Sequence, residues 1–143
     1  MKITEDPQCC LATAEELLRD AKILCCNEGS KSSVLFLVDF AIEMALKAAL
    51  VAHGVWDGKS KSDYKNHDIA ALAQGVARRV AVPDDLMQEL VACSDLPRLE
   101  EPSCKSSQQV RFDADLDWDA ISIDDHLGVA ERTVRFVRNE YFQ

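Results

Sequence analysis

Asp39, Glu43 and Lys47 are the ionisable side chains that precede the C-terminal end of an otherwise apolar run from Val34 to His53, and they recur every four residues. On a helix that interval places all three on one narrow stripe. Two carboxylates and an amine in line have two uses. They form a solvated seam with a Glu43–Lys47 ion pair worth about 0.3–0.5 kcal/mol, or they line a charged groove or a subunit face. Spacing alone favours the seam.

Three other groupings have chemical potential. Cys9-Cys10 and Cys25-Cys26 offer four thiols, but the pairs stand sixteen residues apart on one helix. That is roughly 24 Å along the axis at about 1.5 Å per residue, too far for one metal ion. With no CxxC spacing in the chain, these residues read as reduced, apolar core side chains, and Cys104 as the thiol open to reaction. Asp113, Asp115, Asp117, Asp119 and Asp124 fall at positions 1, 3, 5, 7 and 12 of a calcium-loop frame. The sharp turn at position 6 needs glycine, and Trp118 stands there, so a solvated acidic loop is the better reading. Arg132, Arg135 and Arg138 form a basic ridge at intervals of three, which suits a phosphate but is equally at home near any helix C-terminus. Walker A, GxGxxG, HExxH and GxSxG patterns are absent from the sequence, and no metal or cofactor is expected.

The elements that must position these groups are helices. Residues 8 to 27 carry Leu11, Ala14, Leu18, Ala21 and Cys25 on one face, entered after Pro7 and stopped at Asn27-Glu28-Gly29. A second helix, about residues 32 to 53, is apolar on most of its surface and must be the most buried. The polar stretch Gly54 to Lys65 predicts a mobile loop with Trp56 folded back, followed by a helix from about His67 to Val80. Pro83 is expected at the first position of a short helix carrying Leu86, Leu90 and Cys93. Ser94 to Ala120 has two prolines and no helical period, a candidate functional loop at about 94–120. Ser122 with Asp125 then opens a last helix presenting Leu127, Ala130, Val134, Val137 and Tyr141 inward. The prediction is one all-α domain over residues 1–143, an up-and-down bundle of four or five helices.

Composition limits the partners. A chain of 143 residues, 48% hydrophobic, with 5 Gly and 6% aromatics, supports a helical core and excludes disorder as its main state. The formal charge of -9 repels a nucleic-acid backbone in general, so any site for RNA must be local. With no apolar run free of charge and no apolar leader at the N-terminus, a soluble, cytoplasmic protein with no membrane partner is expected.

The segment from Ser33 to Leu50, holding Ile42-Glu43-Met44-Ala45-Leu46-Lys47-Ala48, and then Asn66-His67-Asp68-Ile69 after a polar loop, resembles the HEPN domain family (higher eukaryotes and prokaryotes nucleotide-binding). In that family a Glu-x-Ala-Leu-Lys-Ala-like run precedes a His-Asp-Leu-like helix start. Gln109-Val110-Arg111-Phe112-Asp113 is similar to the family's Arg-Tyr-Pro-Asp segment, with Phe for Tyr and Asp for Pro. The likeness extends from the first helix to about Val137.

The resemblance implies a bundle that is commonly dimeric, with a polar groove near the subunit boundary approached by Glu43, Lys47, His67, Asp68 and Arg111. It raises the charged stripe above the seam reading. Lys47 and Arg111 suit phosphate oxygens, and His67 can donate a hydrogen bond or titrate near neutrality, although a helix-start histidine bonded to backbone needs no ligand. Many family members are ribonucleases, often toxins paired with nucleotidyltransferase partners, and use an Arg followed after four to six residues by a His. None of His53, His67 and His126 has an Arg at that distance upstream. Arg138-Asn139 starts such a motif, but Gln143 takes the first permitted His position and cannot act as a base. The expectation is therefore a noncatalytic module for a nucleotide, a nucleic-acid end or a partner protein, with a homodimer and a nucleotidyltransferase partner as the implied company. Two alternatives stand beside it: a ribonuclease using His67 with Arg111, and a purely structural assembly protein.

Overall fold

The computed structural model describes residues 6–55, 68–97 and 116–142. Helix α1, Pro7–Cys26, opens with Pro7 in its first turn and Asp6 as cap, whose side chain accepts a hydrogen bond from the Gln8 amide. Cys10, Leu11, Ala14, Leu18 and Ala21 are buried along its inner face. Its end is a Schellman turn: the Gly29 N–H donates to the Leu24 carbonyl at 2.8 Å and the Glu28 N–H to Cys25 at 3.3 Å. The left-handed residue there is Glu28, with φ of 60°. Gly29 is needed for close approach instead, since a Cβ on it would lie 2.3 Å from Leu24 Cγ.

Helix α2, Lys31–Ala52, is capped by Ser30, whose hydroxyl accepts from the Ser33 amide at 3.2 Å. It is the central element, buried from Val34 to Leu50 apart from the half-buried Phe36, Leu37 and Phe40. Helix α3, Ile69–Ala77, starts at its cap Asp68 and ends before Arg78, shorter than the periodicity to Val80 predicts. Helix α4, Asp84–Ser94, has Pro83 as its N-cap and not as its first helical residue, with Asp84 and Asp85 in the first turn. A 3-10 turn, Trp118–Ala120, leads into α5, Ile123–Tyr141, where the Ser122 hydroxyl accepts from the Asp125 amide as the capping pattern predicts. Of the residues expected inward on α5, Ala130, Val134 and Val137 are buried, while Leu127 and Tyr141 are half-buried.

Cross-helix contacts set the directions. Ion pairs Glu15–Arg138 and Lys22–Glu131 hold α1 antiparallel to α5, and Glu89–Arg132 joins α4 to α5. Asp39 meets His126 near one end and His53 meets Tyr141 at the other, so α2 and α5 run parallel. Helices α1, α2, α4 and α5 thus alternate up and down around a shared core, with α3 added beside α2 and α4. The bundle is all-α, as expected, and no described helix is long and apolar enough to cross a membrane.

Both described ends of the 94–120 excursion pack firmly. Leu96, Leu116 and Ile121 form a small separate cluster with Leu35, and Trp118 packs against it. The Asp117 amide donates to the Pro97 carbonyl at 3.0 Å, and Lys31 Nζ to the Trp118 carbonyl at 3.0 Å. Burying each of these leucine and isoleucine side chains contributes about 1.5–3 kcal/mol. They close the bundle over the start of α2. The calcium-like run falls partly in this region: Asp117 caps the 3-10 turn and Asp124 lies in the first turn of α5, while Asp113 and Asp115 lie outside the described residues. Trp56 and Cys104 also lie outside them.

Candidate functional site

The stripe on α2 is inside the protein. Asp39 is 0% exposed, Glu43 2% and Lys47 9%, which overturns the solvated-seam reading. The physical reason lies in the position of the helix. With α1, α3 and α5 packed around α2, no azimuth of the middle of α2 faces open water, whatever residue stands there. From Asp39 to Lys47 the stripe spans eight residues, roughly 12 Å of helix axis.

Its two ends have different surroundings. At one end, Lys47 Nζ lies 3.9 Å from Glu43 Oε2, an ion pair too long for a hydrogen bond. Burial pushes the Lys47 amine below its ordinary value, opposed by the Glu43 carboxylate and then by Cys10. The Cys10 thiol is pushed up to about 11 by burial, with Cys9 adding to the rise and Lys47 opposing it. Lys47 thus sits close to Cys10 on α1, its charge partly compensated by Glu43.

At the other end, Asp39 Oδ1 lies 3.8 Å from His126 Nδ1 on α5. Burial pushes the His126 imidazole below its ordinary value, opposed by Asp125. Cys93 on α4 is pushed up to about 12 by burial and then by the Asp39 charge. His126 was not among the residues singled out from motifs. A signal for it was present, since 126, 130, 133 and 137 fall on one face of α5, the face whose Ala130, Thr133 and Val137 are fully buried.

Of the five residues the sequence nominated, the structure brings Glu43 and Lys47 together. Asp68 acts as a helix cap: its Oδ1 accepts from the Ala70 amide at 3.0 Å and from the Ser94 hydroxyl at 3.1 Å, and Ser94 accepts from the same amide at 2.8 Å. That arrangement ties the start of α3 to the end of α4. His67 and Arg111 lie outside the described residues. The arginine ridge is engaged in structure, with Arg132 paired to Glu89 and Arg138 to Glu15. Arg135 joins Arg132 at a shallow pocket of about 210 Å³ beside Asp85 and Asn139.

Among the cysteines, Cys10 and Cys93 are buried core side chains, Cys9 and Cys25 are half-buried and Cys26 is exposed, so the all-core reading fails at the end of α1. Position explains it: residue 26 ends the helix, where the Schellman turn lifts the chain off the core.

The HEPN domain family model matches residues 8–139 of the chain. No curated protein and no solved structure matches it.

Proposed function

From the premise that the chain belongs to the HEPN domain family, we propose that it is a single noncatalytic HEPN module that holds a nucleotide or nucleic-acid end at the Lys47 end of the α2 stripe. The observation that carries this reading is the buried Glu43–Lys47 pair at 3.9 Å. An ammonium has three donors, and a single carboxylate at that distance compensates a buried amine poorly. Pairs of this kind are poor stabilisers, and a buried amine pushed below its ordinary value in a family built around nucleotide contact is a functional candidate on physical grounds. A phosphate oxygen reaching Lys47 adds a second negative partner beside the Glu43 carboxylate, and Arg111 and His67 are the further contacts proposed. None of His53, His67 and His126 follows an Arg at the family's spacing, which argues against the common ribonuclease chemistry at these histidines. A homodimer and a nucleotidyltransferase partner in a toxin–antitoxin setting remain part of the proposal. Burial of Asp39, Glu43 and Lys47 within one protomer removes the stripe as its own subunit face, so the dimer would use another surface.

Thermal unfolding against a panel of nucleotides and short RNAs tests the reading. A ligand at 100 times its Kd contributes about 2.7 kcal/mol to the folded state, roughly 5–10 °C in Tm for a chain of this size. The expected result is a shift with one nucleotide or RNA end that is lost in the Glu43→Gln/Lys47→Met variant and in Arg111→Ala. Replacing both members of the buried pair preserves side-chain volume, strands no charge and keeps the fold for the comparison. No shift with any member of the panel would sink the proposal, and RNA cleavage abolished by His67→Ala would replace it with the ribonuclease alternative.

A further inference from the structure

The Asp39 end of the stripe meets a feature independent of the Lys47 site. A cleft of about 500 Å³ opens between the end of α4 and the start of α5, within the size range of small-ligand pockets. Its floor is apolar, with Ala92, Cys93, Leu96, Ile121 and Val129 in the lining. His126 forms part of the same wall and is held from behind. Its side chain is only 12% exposed, and Nδ1, buried and without a hydrogen bond, faces the Asp39 carboxylate 3.8 Å away. With Nδ1 turned to Asp39, Nε2 is the ring nitrogen left to serve the cleft that His126 lines.

The charge around this opening is one-sided. Glu89, Asp95, Asp124, Asp125 and Arg132 line it. Arg132 is engaged by Glu89, leaving the three aspartates as the net charge. Asp124 and Asp125 belong to the first turn of α5, where the helix dipole favours the ionised carboxylate. An anion is therefore repelled from this cleft, and an apolar stem ending in a positive charge matches it at both ends.

We infer that the α4–α5 cleft is a binding site for an alkylammonium or alkylguanidinium group, its stem on the Ala92–Val129 floor and its N–H donors shared between His126 Nε2 and the Asp124/Asp125 carboxylates. Burial of His126 keeps the imidazole in the neutral form that accepts such a donor. Two sources carry this chemistry: a free polyamine, and the Lys or Arg side chain of a partner protein.

The test uses the full chain with nitrogen-15-labelled histidine, following the imidazole resonances while adding n-butylguanidinium, spermidine, N-acetyl-lysine methylamide or inorganic phosphate. The expected result is a saturable shift of the His126 ring signals with the cations and none with phosphate. Affinity falls at least tenfold in the Asp124→Asn/Asp125→Asn variant, whose exposed side chains can be changed without touching the core. Spermidine binding tenfold or more above the lysine derivative assigns the site to a free polyamine, and comparable or tighter binding of the lysine derivative assigns it to a partner's side chain. The Glu43→Gln/Lys47→Met variant leaves these shifts intact, which separates this site from the nucleotide reading. No shift with any cation at millimolar concentration, undiminished binding to the double variant, or a phosphate-induced shift at His126 overturns the inference.

Discussion

The outer charges of α5 and the inner charges of α2 both recur at helical intervals, three residues for Arg132, Arg135 and Arg138 and four for Asp39, Glu43 and Lys47, and they behave in opposite ways. Arg132, Arg138 and Glu131 on α5 find partners in Glu89, Glu15 and Lys22 on neighbouring helices. Lys22 and Glu131 remain 48% and 40% exposed, so water shares the solvation and the pair needs little from its geometry. Asp39, Glu43 and Lys47 on α2 have almost no water, so each carries the full dependence on its neighbours. Interval alone does not separate a decorative pair from a costly one; the number of helices packed around the element does.

The largest expected effect comes from breaking the inner pair. Glu43→Ala leaves the Lys47 ammonium buried without its nearest countercharge, and urea unfolding should show a loss of roughly 3–5 kcal/mol. Replacing both residues, as Glu43→Gln with Lys47→Met, removes the charges together and should recover most of that loss, as buried pairs exchanged for uncharged side chains of similar volume commonly do. A loss in the single variant no larger than about 0.5 kcal/mol would mean that the stripe behaves as a surface seam despite its burial.

Much of the architecture was legible because it is encoded locally. Ser122 and Asp125 stand three residues apart in one turn, and the Leu11-Ala14-Leu18-Ala21 spacing repeats within a single helix, so each could be read without knowing the rest of the chain. The errors come where distant segments decide. Helix α3 ends at Ala77 although Val80 keeps the apolar period, and its start is tied to Ser94, 26 residues away. Burial of the stripe depends on α5 covering α2, and the Asp39–His126 contact joins residues 87 positions apart. Of the candidate site, the Glu43–Lys47 pairing followed from i,i+4 spacing, but its low exposure did not. No spacing rule reports which side of a uniformly apolar helix stays wet.

A second way to sharpen the comparison is pH. Burial holds the folded-state imidazole of His126 below its ordinary value near 6.5. Between those two values the unfolded chain binds the proton and the folded chain does not, so stability falls as pH drops from neutrality through 6.5 and stops falling below the folded value. Groups facing the ring from the elements around it are Asp39 on α2, Glu89 and Cys93 on α4, Asp95 after it, and Asp124, Asp125 and Arg132 near it on α5. Asp125 opposes the shift and burial exceeds it. Urea midpoints measured from pH 7.5 to pH 5 should decline, and His126→Gln should flatten that decline. A midpoint that rises on acidification would show instead that the Asp39 charge outweighs desolvation at this site.

The smallest effect is expected on the outer surface, where it sets the scale for the others. Lys22→Ala removes one partner of the 3.0 Å Lys22–Glu131 pair between α1 and α5. Both side chains retain enough exposure for water to replace the lost partner, so the change in stability should be about 0.2–1 kcal/mol and should shrink further at 1 M salt, where the Debye length is about 3 Å. The Glu43→Ala loss should change far less with salt, because bulk ions do not reach a pair whose side chains are 3% and 11% exposed. Measuring both variants at low and high salt therefore tests the comparison through its cause. Equal salt sensitivity in the two variants would place the α2 pair in contact with solvent, and the argument that the interior position of α2 makes its charges functional would fail with it.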